Sequence, residues 1–168
     1  KEMLKKYADI FNSLGKDDQI SKGRNTLIFD GTNAFIRVFS AVPALNENGE
    51  HVGGILGFLR SMAYIIRMFQ PSRCIMVFDA KGGSNRRKKL HPGYKAGRAT
   101  KVKVFNRTTE FKDAEDEEKS MRHQFKRVIE YLNILPVHLL AVNGIEADDT
   151  IAYIIQHHCH DDDKVTIV

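Results

Sequence analysis

The chain has 168 residues, of which 42% are hydrophobic and 28% are charged, and its formal net charge is +5. This composition is ordinary for a soluble globular protein with one core. It excludes a membrane-spanning chain, because the longest apolar run is interrupted by Arg60 and Arg67. Two cysteines, Cys74 and Cys159, do not suggest a disulfide framework, so we expect a reducing, cytoplasmic location.

The first predicted element is an amphipathic helix with a linker behind it, together residues 1–22. Gly15 can end this helix, and the segment KDDQISKG is typical of a linker. No cleavage-site pattern of a signal peptide is present. The apolar residues that recur at helical spacing are Met3, Leu4, Tyr7, Ile10, Phe11 and Leu14.

The next elements predict an α/β domain over residues 23–168. NTLIFD is a short strand ending in Asp30, GTN resembles a turn, residues 55–69 form a helix stopped by Pro71, and RCIMVFD is a second strand ending in Asp79. Because both strands are continuously apolar, we expect them to be buried on both faces, as in a parallel sheet.

A basic stretch without clear periodicity follows the second strand. Between Lys81 and Thr109 there are ten Lys or Arg residues and no Asp or Glu, so the other residues carry 16 basic against 21 acidic side chains. A basic segment on an acidic body indicates binding of a polyanion, although a solvated surface loop has the same composition.

The last elements continue the alternation of helices and strands. An acidic first turn opens a helix that ends before Pro136, VHLLAV is a third strand, NG is a turn, residues 146–158 form a helix and KVTIV is a fourth strand. We therefore predict an α/β fold with a mainly parallel central sheet flanked by helices. His157 and His160 could share a face of the last helix, but two ligands do not make a structural zinc site.

Acidic residues are predicted to meet at one edge of this sheet. Asp30 and Asp79 end parallel strands, and the cluster Glu146, Asp148 and Asp149 opens the helix after the third strand. Hard cations such as Mg²⁺ prefer oxygen ligands of this kind, and two such ions can promote phosphodiester hydrolysis. Taken singly, each acid is also typical of a turn or a helix cap.

Three sequence segments resemble the flap endonuclease / 5′→3′ exonuclease family, which includes bacteriophage nucleases and the 5′-nuclease domain of DNA polymerase I. They are FDGTNAFIRVFSA, FDAKGGSNRRKKLHPGYKAGR and GIEADDTIA, in the order that the family shows. The resemblance covers most of the chain from Thr26 onward. It implies a PIN-like 5′-nuclease core with a basic arch inserted at about residues 81–117.

The resemblance also implies roles for individual residues. Metal ligands would be Asp30, Asp79, Glu146, Asp148 and Asp149, holding Mg²⁺ or Mn²⁺, two ions in the complete protein. Lys95 and Arg98 would be catalytic residues that reach the scissile phosphate. Substrate-binding residues would be Arg37, Arg86, Arg87, Lys88 and Tyr94. The partner would be DNA with a 5′ flap or a single-strand/duplex junction, or an RNA–DNA hybrid, in replication or repair, together with other replication proteins, and the protein would act as a monomer.

The resemblance implies two further parts that this sequence does not contain. One is another acidic cluster just after the strand VTIV, and the other is a helix-hairpin-helix region that grips duplex DNA. A fragment and a naturally shortened form are both consistent with this. Three hypotheses therefore stay open: a metal-dependent 5′ nuclease, a non-catalytic nucleic-acid-binding replication component with an incomplete metal site, and a PIN-type ribonuclease. A bacteriophage origin would place the protein in the host cytoplasm.

Overall fold

The structure, a computed structural model, describes residues 24–95, 106 and 111–168. The predicted N-terminal helix and Arg98 lie outside these residues. Strands and helices alternate along the described chain. In chain order they are β1 (Asn25–Asp30), α1 (Gly31–Ala41), α2 (Gly53–Phe69), β2 (Arg73–Phe78), α3 (Asn85–Leu90), α4 (Ala114–Leu132), β3 (His138–Ala141), α5 (Ala147–His158) and β4 (Lys164–Ile167).

The four strands form one parallel sheet in the order β3-β2-β1-β4, which confirms the predicted fold class. β1 is central, with Ile28 paired to Ile75 of β2 and to Ile167 of β4. The chain adds β2 and then β3 on one side of β1, and it then crosses the sheet to add β4 on the other side. The carboxyl ends of β1 and β2 therefore lie beside the point where the strand order reverses, which is where open α/β sheets bind their ligands.

Two apolar layers cover the sheet, one on each face. Leu27 and Phe29 of β1 pack with α1, α2 and α4, whereas Ile28 between them packs against α5. This alternation explains why β1 is continuously apolar, since both of its faces are buried. No helix among the described residues is both long and apolar enough to cross a bilayer.

Three helices differ in some respect from the sequence prediction. GTN does not form a free turn but opens α1, because the carboxylate of Asp30 caps the helix by accepting a hydrogen bond from the Asn33 N–H at 2.9 Å. In the basic stretch, α3 is a short helix that has no buried residue and hence no apolar periodicity. At the other end of the chain, α5 ends at His158 and Cys159 is extended, so His160 does not lie on that helix.

A buried glutamine joins α4 to the start of α2. The side-chain oxygen of Gln124, which is 1% exposed, accepts hydrogen bonds from the Gly54 N–H at 2.8 Å and the Ile55 N–H at 3.3 Å. Its side-chain nitrogen donates to the His51 carbonyl at 2.7 Å. Gln124 thus satisfies helix-terminal N–H groups that α2 itself cannot pair.

Replacing Gln124 by Ala should lower the free energy of unfolding by about 3 kcal/mol, because buried N–H and C=O groups lose their partners. Urea unfolding followed by circular dichroism measures this change. The matched control is Gln156→Ala on the exposed face of α5, for which we expect a change within about 0.5 kcal/mol. Equal effects of the two substitutions would contradict the capping role.

Candidate metal and nucleic-acid site

Four of the five predicted carboxylates lie together at the carboxyl edge of the sheet. Asp30 ends β1, Asp79 follows β2, and Glu146 is the N-cap residue of α5 with Asp148 in its first turn. These four residues line one cavity of about 350 Å³. The other residues that line the cavity are Thr32, Asn33, Ile36, Tyr94 and Lys95.

Backbone and side-chain hydrogen bonds fix the two strand-end acids. Besides capping α1, Asp30 lies on the central strand, and its N–H donates to the Val168 carbonyl at 2.8 Å. Asp79 accepts a hydrogen bond from the Ala147 N–H at 2.8 Å, so it ties β2 to the start of α5. Its own N–H donates to the Thr32 hydroxyl at 2.8 Å. Each acid therefore has a structural role of the kind that the sequence also allowed, since Asp30 caps a helix and Asp79 joins a strand to a helix. Both side chains also line the cavity.

Burial and neighbouring negative charges among the described residues disfavour the ionised form of Asp30. Burial raises the pKa of Asp30 above its ordinary value, the hydrogen bond from Asn33 opposes this rise, and the negative charges of Asp79 and Asp148 add to it. A cation in the cavity would relieve this repulsion.

Glu146 is in the opposite electrostatic state. Its side chain is only 5% exposed, and its Oε1 lies 2.6 Å from the Lys95 ammonium. Its Oε2 lies 2.8 Å from Nη1 of Arg87 and accepts a hydrogen bond from the Tyr94 hydroxyl at 2.9 Å. Burial alone would raise the pKa of Glu146, but the hydrogen bonds from Lys95 and Tyr94 and the charges of Lys95 and Arg87 lower it.

The fifth predicted acid, Asp149, is not among the residues that line this cavity. Its Oδ1 accepts a hydrogen bond from Nη2 of Arg87 at 2.8 Å. The contacts of Arg87 and Tyr94 with these acids could not be inferred from the sequence, because nothing in the basic stretch indicates which cations turn inward. Arg86 and Lys88 are exposed on α3, and Arg37 is exposed on α1, one turn beyond Asn33.

The donor set of the cavity fits a hard divalent cation. Among the described residues no three histidine, cysteine or carboxylate side chains are grouped closely enough to hold a metal ion as they stand. Carboxylate oxygens are nevertheless the ligands that Mg²⁺ and Mn²⁺ prefer, and Mg²⁺ usually keeps several of its waters. Asp30, Asp79 and Asp148 supply such oxygens around a common cavity, and the mutual repulsion felt by Asp30 favours a bound cation.

Comparison with protein families gives one match that covers most of the chain. The family model described as "5'-3' exonuclease, N-terminal resolvase-like domain" matches residues 25–168. A 5'-3' exonuclease of Aquifex aeolicus is 30% identical over 141 residues, which are 83% of this chain and 43% of that protein. A thermostable DNA polymerase I of Thermus thermophilus is 32% identical over 132 residues, which are 78% of this chain and 14% of that protein. The chain thus spans less than half the length of these curated relatives.

Solved structures with the same fold come from bacteriophage T5. The T5 D15 protein co-crystallised with metal ions has a TM-score of 0.58 and 21% identity over 79% of this chain and 43% of that chain. The T5 5'-exonuclease with bound zinc has a TM-score of 0.59 and 23% identity over 79% of this chain and 44% of that chain. At this identity the likeness supports the fold, and the arrangement of the site rests on the contacts described above.

Replacing Asp30 by Asn should stabilise the metal-free protein at pH 7, because Asn keeps the capping oxygen and removes a charge that is partly buried and repelled by Asp79 and Asp148. Since the folded-state pKa is raised, the advantage should exist above that pKa and vanish below the ordinary Asp value of about 3.9. After solvent screening we expect a gain of at most about 1 kcal/mol.

Urea unfolding in EDTA at a series of pH values measures this gain. Asp161→Asn, at an exposed position, is the control and should show no such pH-dependent gain. If the Asp30→Asn protein is less stable than the original at pH 7, the ionised form of Asp30 is not disfavoured by its surroundings.

Proposed function

The chain belongs to the 5′-3′ exonuclease family, and from this premise we propose that it forms the metal-binding half of a 5′ nuclease that hydrolyses phosphodiester bonds in DNA. The observation that carries this proposal is the convergence of Asp30, Asp79, Glu146 and Asp148 on one cavity, with Lys95 beside it. Carboxylates that can hold metal ions, next to the Lys95 ammonium, suit the hydrolysis of a phosphodiester, because negative charge develops on the phosphate in the transition state.

Divalent ions would be held by Asp30, Asp79 and Asp148, with Glu146 released from Lys95 as a further ligand. When bound, such ions supply an activated water and stabilise the leaving oxygen. Asp30 ends β1, Asp79 follows β2, and both accept hydrogen bonds from backbone N–H groups, so their positions are fixed before an ion binds. Because these side chains are already in place, they need not rearrange when the ion and the substrate bind.

Lys95 would supply positive charge to the scissile phosphate. The hydrogen bond to Glu146 raises the pKa of Lys95, so the ammonium stays protonated at neutral pH. Tyr94 lines the same cavity and offers a ring face on which a base or sugar can stack. Arg37 on α1 and Arg86 and Lys88 on α3 are exposed and would bind phosphates along the nucleic-acid strand. Arg98, which the family resemblance places beside Lys95, is outside the described residues.

The proposed substrate is DNA with a 5′ flap or a single-strand/duplex junction, or an RNA–DNA hybrid at a primer. One support is the family itself, and another is a relative in bacteriophage T5 that is described as a flap endonuclease in complex with DNA and metal ions. Arg87 joins α3 to Glu146 and Asp149, so a nucleic-acid strand bound along the exposed cations of this helix would lie near the carboxylates.

A non-catalytic nucleic-acid-binding role is the second candidate. It is favoured by the pairing of Glu146 with Lys95 at 2.6 Å, because this ion pair must break before Glu146 can serve as a metal ligand. The two functions differ in their dependence on metal, since a binding protein holds a flap equally well with and without Mg²⁺. Cleavage of RNA alone would instead support a PIN-type ribonuclease.

Divalent ions should raise the stability of the folded protein. Binding to the folded state alone adds about 2.7 kcal/mol when the free ion is at a hundred times its dissociation constant. Thermal unfolding with Mn²⁺ or Mg²⁺ against EDTA measures this gain. Asp79→Asn, which keeps an acceptor for the Ala147 N–H, should lose most of it, and Asp161→Asn should keep it. An equal rise for all three proteins would contradict the metal site.

Replacing Lys95 by Ala should lower the Mg²⁺-dependent cleavage rate of a 5′-flap DNA by the intact protein, by about 10²- to 10³-fold, because a charge aimed at the phosphate is lost. Single-turnover cleavage of an end-labelled flap measures the rate. The control is Lys126→Ala, an exposed lysine on α4, which should cleave as the original does. If the Lys95→Ala protein cleaves at an unchanged rate, Lys95 is not part of the catalytic site.

A further inference from the structure

The guanidinium of Arg87 contacts two carboxylates at the start of α5. Its Nη1 donates to the Tyr94 hydroxyl at 2.8 Å and lies 2.8 Å from Oε2 of Glu146, and its Nη2 donates to Oδ1 of Asp149 at 2.8 Å. Contacts with Asp149 and Tyr94 raise the pKa of Arg87, so it remains fully charged. Both terminal nitrogens of Arg87 are therefore already bound within the protein, which leaves fewer of its five N–H donors for a phosphate.

We propose that Arg87 is a positioning residue. It holds α3, at the start of the basic stretch, against α5, and thereby fixes the positions of Tyr94 and Lys95 at the cavity. This inference rests on the proposed function for its kinetic consequence. It gives Arg87 a role different from that of its neighbours on α3, which remain candidates for binding phosphate.

The position of Arg87 on α3 supports this division of roles. Its side chain is 31% exposed and turned toward α5. Arg86 is exposed and lines a separate cavity of about 470 Å³ with Lys89 and Gly144. Successive residues of a helix point in directions about 100° apart, so one arginine can face the acids while the next faces solvent.

A chain of contacts transmits the position of Arg87 to Lys95. The Tyr94 hydroxyl accepts from Arg87 and donates to Glu146, and Glu146 binds the Lys95 ammonium through its other oxygen. Both cations also lie near the Tyr94 ring, at 5.5 Å and 5.1 Å from its centroid. Lys95 itself has a φ of 57°, a left-handed conformation that a non-glycine residue keeps only when its surroundings hold it.

Arginine suits this role because its planar guanidinium can bind two groups at once in fixed directions. Glu146 and Asp149 lie three positions apart at the start of α5, and Arg87 reaches both of them. Lysine carries the same charge on a single nitrogen and cannot reproduce this two-sided contact. The role thus depends on the shape of the side chain as well as on its charge.

The experiment compares Arg87→Ala and Arg87→Lys with the matched control Arg86→Ala in the intact protein. Steady-state cleavage of flap DNA gives kcat and KM, and equilibrium binding in EDTA over a range of salt concentrations counts the phosphate contacts. For both Arg87 variants we expect kcat to fall at least tenfold, KM to change less than threefold and the salt dependence of binding to stay unchanged.

For Arg86→Ala we expect the reverse pattern, with a higher KM and a salt slope smaller by about 0.9, the value for one lost phosphate contact. The inference is overturned if Arg87→Ala shows this same reduced slope, or if Arg87→Lys cleaves like the original, since charge alone would then explain the effect.

A second measurement is independent of cleavage. Urea unfolding in EDTA of Arg87→Ala, Asp149→Asn and the double variant gives their coupling, which we expect to be about fivefold or more in the unfolding equilibrium constant. Additive effects would overturn the positioning role. If the original protein cleaves no substrate, the proposed function fails, and the coupling and the salt slope still decide the role of Arg87.

Discussion

The electrostatic balance at the carboxyl edge of the sheet is the constraint on which the rest of the structure depends. The edge holds one carboxylate, Glu146, that is buried and neutralised by Lys95 and Arg87, and another, Asp30, that is repelled by its neighbours. The parallel strands β1 and β2 lie side by side and bring Asp30 close to Asp79, and Asp79 in turn binds the start of α5, where Glu146 lies. Lys95 and Arg87 of the basic stretch thus neutralise Glu146, whereas the charge of Asp30 remains for a bound cation to neutralise.

This unequal compensation links the fold to the proposed chemistry. Asp30 and Asp79 each accept a backbone hydrogen bond from a helix start, so the same side chains that could bind an ion also fix α1 and α5. Folding and site formation are therefore one event at this edge. The cations reach the cavity from a separate segment, and their contacts with Glu146 compete with any role of that carboxylate as a metal ligand.

Much of the fold could be predicted from the sequence because β1 and β2 are continuously apolar and are buried on both faces. The gathering of Asp30, Asp79, Glu146 and Asp148 followed from the same pattern and the geometry of parallel sheets. The helix after Asp30 was missed because Gly-Thr-Asn also suits a turn, and only the cap distinguishes the two. The inward turn of Arg87 was not visible because α3 has no apolar face from which its orientation could be inferred.

The absence of buried residues in α3 has a consequence for how such a protein can change over time. Substitutions in β1 or β2 disturb a packed interior and are selected against for stability alone. Substitutions on the outer side of α3 meet little packing constraint. In the proposed function, such substitutions would change the contacts with nucleic acid and leave the carboxylates of the cavity in place. Arg87, which contacts these carboxylates from α3, links the two regions.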